Sequence, residues 1–368
     1  MKSKVVILGV NHSYQLVSKE CQPAAYRAFM ERVKPDGIGI ERSPESFVRG
    51  DYYEFTYEQQ NICVPYALKK GIQIHPFDWN LSTEDQLLAW NISNIDDPPL
   101  IRQNNHYNDF KYFPTLEEDF FYSERPEIKG KIKNWMEIPT NDQHDFPRRL
   151  FLYRTYMQAM RIKKIANQYN GKTLLIIVGH MHKYDIEEIL KQEKDIEIIQ
   201  PSSFGYPEES EIVKNQHVED FFAIAAFNLL GVQSQYEIDY EWLEEVIGKL
   251  NKQDSSIEVE LFTLLFNRNH YSNEERINKY NILLQKARDE RTFTYTGVVD
   301  KTRLDSFFNP FASLSIKSYL QLLIGKEYSK LGNTEKALDC KMELLQNEHL
   351  NPKQKGQLEA YWERFILK

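Results

Sequence analysis

Leu174-Leu175-Ile176-Ile177-Val178-Gly179-His180-Met181-His182 is the stretch whose reading decides the fold. Its five apolar residues are too short a run for a membrane span. They read as a strand buried on both faces, as in a parallel sheet. The N-terminus repeats the arrangement in Val5-Val6-Ile7-Leu8-Gly9-Val10-Asn11-His12. Both runs pass through a glycine and end on histidine.

Working outward, further strands are expected at 37–40, after the turn signal Pro35-Asp36-Gly37, at 72–75 after Gly71, and at 196–199. Helices are expected between them. One covers 23–33, with Ala25, Phe29 and Val33 on one face. Another covers 57–69, where Pro65 must kink or restart it. A long helix at 148–169 places Leu150, Tyr153, Met157 and Met160 on one face, and Asn170-Gly171 stops it. Asp185-Ile186-Glu187-Glu188 has the pattern of a capping box opening the next helix. Strands alternating with helices predict an α/β fold with a mainly parallel central sheet and flanking helices.

Residues 81–147 break this rhythm. They are rich in Asn, Asp, Pro, Tyr and Phe, and a segment so long reads as an inserted lid or cap. Strand signals fade from about residue 234. The expected domains are therefore an α/β domain at 1–233 and an all-helical C-terminal domain at 234–368. The latter has helices at 240–250, 257–265, 273–288, 316–331 and 334–346. The segment 328–338 is similar to one tetratricopeptide-type hairpin, although an array needs about three repeats. A plain helical extension is the simpler expectation.

The 368 residues carry a net charge of −8, and their 46 Lys and Arg are dispersed, which argues against nucleic-acid binding. No run approaches the roughly 18 to 20 apolar residues of a membrane span. The polar Asn11-His12-Ser13 interrupts the N-terminal run too early for a signal peptide. Cys21, Cys63 and Cys340 are odd in number and far apart, which points to a reducing compartment. A soluble cytoplasmic protein is expected.

In open α/β sheets, ligands bind beyond the carboxyl ends of the strands. His12, Glu41, Asp78, and the pair His180 and His182 all fall there. Each alone reads as a turn, capping or hydrogen-bonding residue; the conjunction points to a shared site. Imidazoles with carboxylates are ligands for Mn, Co, Zn or Fe, which would activate water. Without metal, a His beside a carboxylate is a general base. There is no Gly-x-Ser-x-Gly elbow, no His-Glu-x-x-His helix and no phosphate-cradling glycine loop. Arg154 on the long helix either clamps a substrate anion or pairs with Glu41 or Asp78, and Arg161 reads as a solvated residue. His75, His106 and His144 read as structural or substrate-facing.

The two G-x-x-H motifs, Gly9 to His12 and Gly179 to His182, resemble the paired motifs of the TraB/TIKI superfamily, which includes erythromycin-esterase-like and ChaN-like proteins. Glu41, Glu58 at the start of a helix, Asp78, and an Arg on the helix before the second motif also resemble that pattern, over roughly residues 1 to 200. Pro65 and the additional His180 depart from it. The resemblance implies an α/β fold with a cleft at the strand ends. It also implies a catalytic or metal role for His12, Glu41 and His182, and a supporting role for Glu58 and Arg154. Members of that superfamily include Mn- or Co-dependent proteases, esterases using His and Glu, and haem- or iron-binding proteins.

Three expectations follow. The first is a hydrolase of an ester or amide in a small molecule or peptide, with or without a divalent metal. The second is a binding protein for haem, iron or a small ligand. The third is an interaction protein recruiting a partner through its C-terminal helices.

Overall fold

A computed structural model describes residues 1–80, 82, 84–85, 119–137, 145–235, 237–288, 291–346 and 349–367. The five expected strands all form: β1 (Ser3–Val10), β2 (Gly37–Ile40), β3 (Gln73–Pro76), β4 (Thr173–Gly179) and β5 (Ile196–Ile199). They make one parallel sheet in the order β3-β2-β4-β1-β5. Val5, Val6, Ile7 and Leu8 are fully buried on both faces, as their unbroken apolar run requires.

The register sets the site. Val10 lies opposite Gly179, Ile40 opposite Ile177, and Ile40 also opposite Pro76. The carboxyl ends of β1, β2, β3 and β4 are thus level, and the residues just beyond them emerge on one edge. Gly37 in β2 makes room for Tyr169, whose ring occupies the space a side chain there would fill. His75 in β3 is buried against the same ring, its Nε2 2.6 Å from the Tyr169 hydroxyl, so it is structural.

The helices of this part are α1 (Pro23–Val33), α2 (Pro44–Arg49), α3 (Val64–Lys70), α4 (Pro126–Glu137), α5 (Asp145–Ala166), α6 (His180–Leu190) and α7 (Glu209–Lys214). The expected helix at 57–69 is two pieces, a π-helical segment Glu58–Cys63 followed by α3. Pro65 has no N–H to offer the Asn61 carbonyl, and Arg27 Nη2 donates to it instead, at 3.3 Å. Helix α6 begins at His180, not near Asp185. Lys183 and Glu187 form a buried pair across one turn of it, 2.7 Å apart.

Helix α4 lies within the stretch read as an aperiodic insertion and buries Ile128 and Ile132, one turn apart. His106, His144 and the aromatic residues Tyr107, Phe110, Tyr112 and Phe113 lie outside the described residues.

The face expected for α5 is not the buried one. Tyr153 is exposed, while Thr155, Gln158, Ala159, Ile162 and Ala166 are buried. The last three pack with Val5, Ile7, Ile176, Val178, Ile186 and Leu190 in the core.

The chain divides into two compact units between Gln216 and His217, not at 233/234. The reason is α8 (Val218–Leu229), an apolar helix that packs with α9 (Tyr240–Gln253) and α10 (Ile257–Phe266). The second unit continues through α11 (Asn273–Lys286), α12 (Ile316–Lys330), α13 (Thr334–Leu345) and α14 (Pro352–Phe365). The sequence reading lacked α14, which Asn351 and Gln354 open with a reciprocal capping box. Helices α12 and α13 pack together around the expected hairpin. Among the described residues no helix is long and apolar enough to cross a membrane.

Candidate active site

Past β1 the chain turns sharply. Ser13 adopts a left-handed φ of 63°, held by its hydroxyl donating to the Phe55 carbonyl at 2.8 Å. This turn presents His12, whose Nδ1 lies 2.8 Å from Glu58 Oε1. Glu58 is fully buried at the start of the π-helical segment and accepts the Nδ1 proton. His12 Nε2 then faces Glu41 Oε2 across 3.7 Å. Burial alone would lower the His12 pKa. Glu58 and Glu41 more than offset it and raise the value, against an opposing effect of Arg154.

Glu41 follows β2 directly and is the hub. Its Oε2 accepts from the Gly179 N–H at 2.6 Å, at the N-terminus of α6. Its Oε1 accepts from Arg154 Nη2 at 2.9 Å and lies 3.4 Å from His182 Nε2. Burial opposes ionisation of Glu41, but His182, Arg154 and His12 outweigh it and hold the carboxyl well below the usual carboxylate range.

Gly179 is needed here for space. Its φ of −52° suits any residue, yet a Cβ would sit 3.0 Å from His12 Nε2 and 3.3 Å from Glu41 Oε2.

Asp78 is buried two residues beyond β3. Arg154 grips it with two parallel bonds, Nε to Oδ1 at 2.9 Å and Nη2 to Oδ2 at 2.8 Å. Gln158, one turn along α5, donates to Asp78 Oδ1 at 2.7 Å. Of the two readings of Arg154, the geometry shows the ion pair, and with both carboxylates at once. Burial would lower the Arg154 pKa, but Asp78 and Glu41 raise it. Arg161 is not simply solvated, because its Nη1 donates to the Asp78 carbonyl.

His182 is buried in the first turn of α6, its ring stacked on Phe151 with centroids 4.2 Å apart. Its Nδ1 meets the Thr155 hydroxyl at 2.7 Å. Burial pushes its pKa below 6.5 more strongly than Glu41 raises it.

His180 is brought alongside this cluster but is bonded elsewhere. It donates to the Val10 carbonyl, and its ring meets Tyr122 edge-on at 5.5 Å. Burial, then His12, lowers its pKa to about 4, so the ring is neutral near pH 7.

The strand-end residues His12, Glu41, Asp78 and His182 are thus linked through Arg154 and Gly179, with Glu58 behind His12. Sequence reasoning missed Thr155 and Gln158. Their spacing from Phe151 and Arg154, four residues each, is the signal that places them on site-facing turns of α5.

His12 and His182 each turn Nε2 toward Glu41 and have Nδ1 held by an outer partner, the donor types of a Mn, Co, Zn or Fe site. The arrangement does not fit an ion as it stands. Both Glu41 oxygens already accept N–H bonds, and a guanidinium nitrogen lies 2.9 Å from Oε1. Among the described residues no group of three or more His, Cys, Asp or Glu is arranged to hold a metal. No family model matches the chain, and neither a curated protein nor a solved structure does.

Proposed function

We propose that the strand-tip cluster hydrolyses an ester or amide bond, with His12 as the general base. One observation carries this reading. His12 has Nδ1 bonded to buried Glu58 at 2.8 Å, its Nε2 faces a gap of 3.7 Å before Glu41, and its side chain keeps 22% exposure against 4% for His182. Of the two histidines that face Glu41, His12 is the one that meets solvent.

A water on the solvent side of His12 gives a proton to Nε2, and the hydroxide attacks the carbonyl carbon. Glu58 and Glu41 stabilise the imidazolium. The oxyanion develops near the first turn of α6, whose amide dipoles favour negative charge. Collapse of the tetrahedral species breaks the bond to the leaving oxygen or nitrogen, and His12 returns the proton to it. Arg154 and Asp78 hold Glu41 in place. A divalent ion enters this scheme only by displacing Arg154 from Glu41.

The stacked Tyr53 and Phe55 rings and the Trp79–Tyr153 pair offer apolar surface for a small molecule or peptide. The resemblance to the TraB/TIKI superfamily agrees with this reading. So does a cytoplasmic location, given that Cys21, Cys63 and Cys340 form no disulfide. Exposed Leu338 and Met342, one turn apart on α13, favour a second role for the helical unit, docking of a protein partner.

The test is turnover of an ester and amide panel by wild type and His12→Ala, after chelation and after adding back Mn, Co, Zn or Fe. Chelated wild type is expected to keep its activity, and His12→Ala to lose about 100-fold or more. Equal turnover by both proteins would remove His12 from the chemistry. Activity that returns only with an added ion would put a metal at Glu41.

A further inference from the structure

Arg42 follows Glu41 and is 1% exposed, yet no carboxylate pairs with it among the described residues. Its Nη2 donates to the Ser46 carbonyl at 3.3 Å, while Nε and Nη1 are buried without a hydrogen-bond partner. The neighbouring carboxylates are taken. Asp51 is bound by Arg49 at 2.6 Å, and Glu41 by Arg154 and Gly179. Burial lowers the Arg42 pKa, and Tyr52 and Asp51 offset it only in part. The Tyr52 ring covers the guanidinium, its centroid 3.2 Å from the central carbon. A cation–π contact is weaker than the cost of leaving a dry cation with two unbonded donors.

The cover is shared with the active site. The Arg42 carbonyl accepts from the Asp78 N–H at 2.8 Å, so its backbone is pinned between Glu41 and Asp78. Tyr52 belongs to the eight-residue connection, 50–57, between α2 and the π-helical segment. In the same connection, the Tyr53 hydroxyl donates to Asn80 at 2.5 Å, and Phe55 lies 5.3 Å from the His12 ring. Displacing this segment to reach Arg42 uncovers the approach to His12.

We propose that Arg42 is the anchor for an anionic group of the substrate, a carboxylate or phosphate oxyanion, and that Tyr52 covers it until that group enters. Nη2 gives one of its two protons to Ser46, so with the other it forms a fork with unbonded Nε or Nη1 that suits the two oxygens of such a group. The proposal rests on the hydrolytic reading only in assigning the anion to a substrate. Binding of the anion stands by itself.

Calorimetric titration of the intact protein with succinate and with inorganic phosphate tests it and separates the two chemistries. Wild type is expected to bind one of them saturably. Arg42→Gln should weaken binding by about tenfold or more, Arg42→Lys by less, and Tyr52→Ala should tighten it. His12→Ala should bind as wild type does. The proposal is overturned if neither probe binds wild type or Tyr52→Ala by about 10 mM, or if Arg42→Gln binds unchanged. If Arg42→Gln does not fold, Tyr52→Ala decides, because unchanged affinity there also overturns it. Anion binding with no ester or amide turnover would sink the hydrolytic reading alone, and turnover without anion binding would sink the anchor alone.

Discussion

The Thr155 hydroxyl lies 2.7 Å from His182 Nδ1 and 2.8 Å from the Phe151 carbonyl, while His182 Nε2 lies 3.4 Å from Glu41 Oε1. A carboxylate only accepts, so Nε2–H is the tautomer that faces Glu41, and Nδ1 accepts from the Thr155 hydroxyl, which the Phe151 carbonyl shares. Thr155→Val removes that hydroxyl at nearly constant volume. It should cut kcat about tenfold, while Thr155→Ser restores most of it. Nitrogen chemical shifts of the ring check the tautomer directly, and an unchanged tautomer in Thr155→Val would exclude this role.

The His12–Glu58 pair predicts a pH profile. His12 must be neutral to accept a proton, and its pKa is raised above 6.5, so the acid limb of kcat/KM should lie above pH 6.5. Glu58→Gln removes the largest raising influence and leaves burial to lower the value. The acid limb should then move to lower pH, with kcat reduced about 10-fold or more. A limb that stays in place would dissociate Glu58 from His12.

Gly179→Ala places a methyl group 3.0 Å from His12 Nε2 on a backbone any residue tolerates. Overpacking of this kind costs about 1–3 kcal/mol of stability. Activity should fall further than stability accounts for, because the displaced atoms are His12 and Glu41. Melting temperature and kcat/KM measured together separate the two effects.

Arg154→Met leaves Glu41 and Asp78 buried without their shared cation. Breaking a buried pair costs about 3–5 kcal/mol, and with Arg154 26% exposed the lower end is expected. Asp78→Asn removes one of the two carboxylates and should cost less. Denaturant unfolding of both variants and of the double mutant gives the coupling, and simple additivity would show that the network is not cooperative.

Acid stability should track the buried histidines. His180 has a pKa of about 4 in the folded protein against 6.5 for a free ring. Between those values the unfolded chain binds a proton that the folded chain does not, so stability falls as pH drops from 6.5 to about 4. His182, also lowered by burial, adds to this slope. His12 has the opposite sign, and its contribution is lost as pH rises above 6.5 through its folded value. Melting temperature against pH should be shallower on the acid side in His180→Asn.

The α5 face shows where local reading fails. Apolar spacing selects Leu150, Tyr153, Met157 and Met160, yet the buried positions facing the site are Thr155 and Gln158, with Arg154 half-buried beside them. A periodicity argument treats polar residues as exposed. Here they are buried because each has a partner waiting: His182 for Thr155, Asp78 for Gln158, and Asp78 with Glu41 for Arg154. The same cause hid the start of α6, where buried Lys183 and Glu187 do not look like a helix interior until they are seen to pair.

From its own residues the chain determines five strands. Runs such as Val5-Val6-Ile7-Leu8 and Leu174-Leu175-Ile176-Ile177-Val178 have no polar side to show water and must be buried on both faces. It also determines that histidines and carboxylates follow those runs. Which of them meet was decided by tertiary structure. The order β3-β2-β4-β1-β5 sets β4 between β2 and β1, and so brings Gly179 to Glu41, 138 residues away. Arg154 reaches Asp78 and Glu41 across 76 and 113 residues. Strand burial follows from composition over a few residues. Strand order and register follow from how whole faces pack, and no local pattern carries that information.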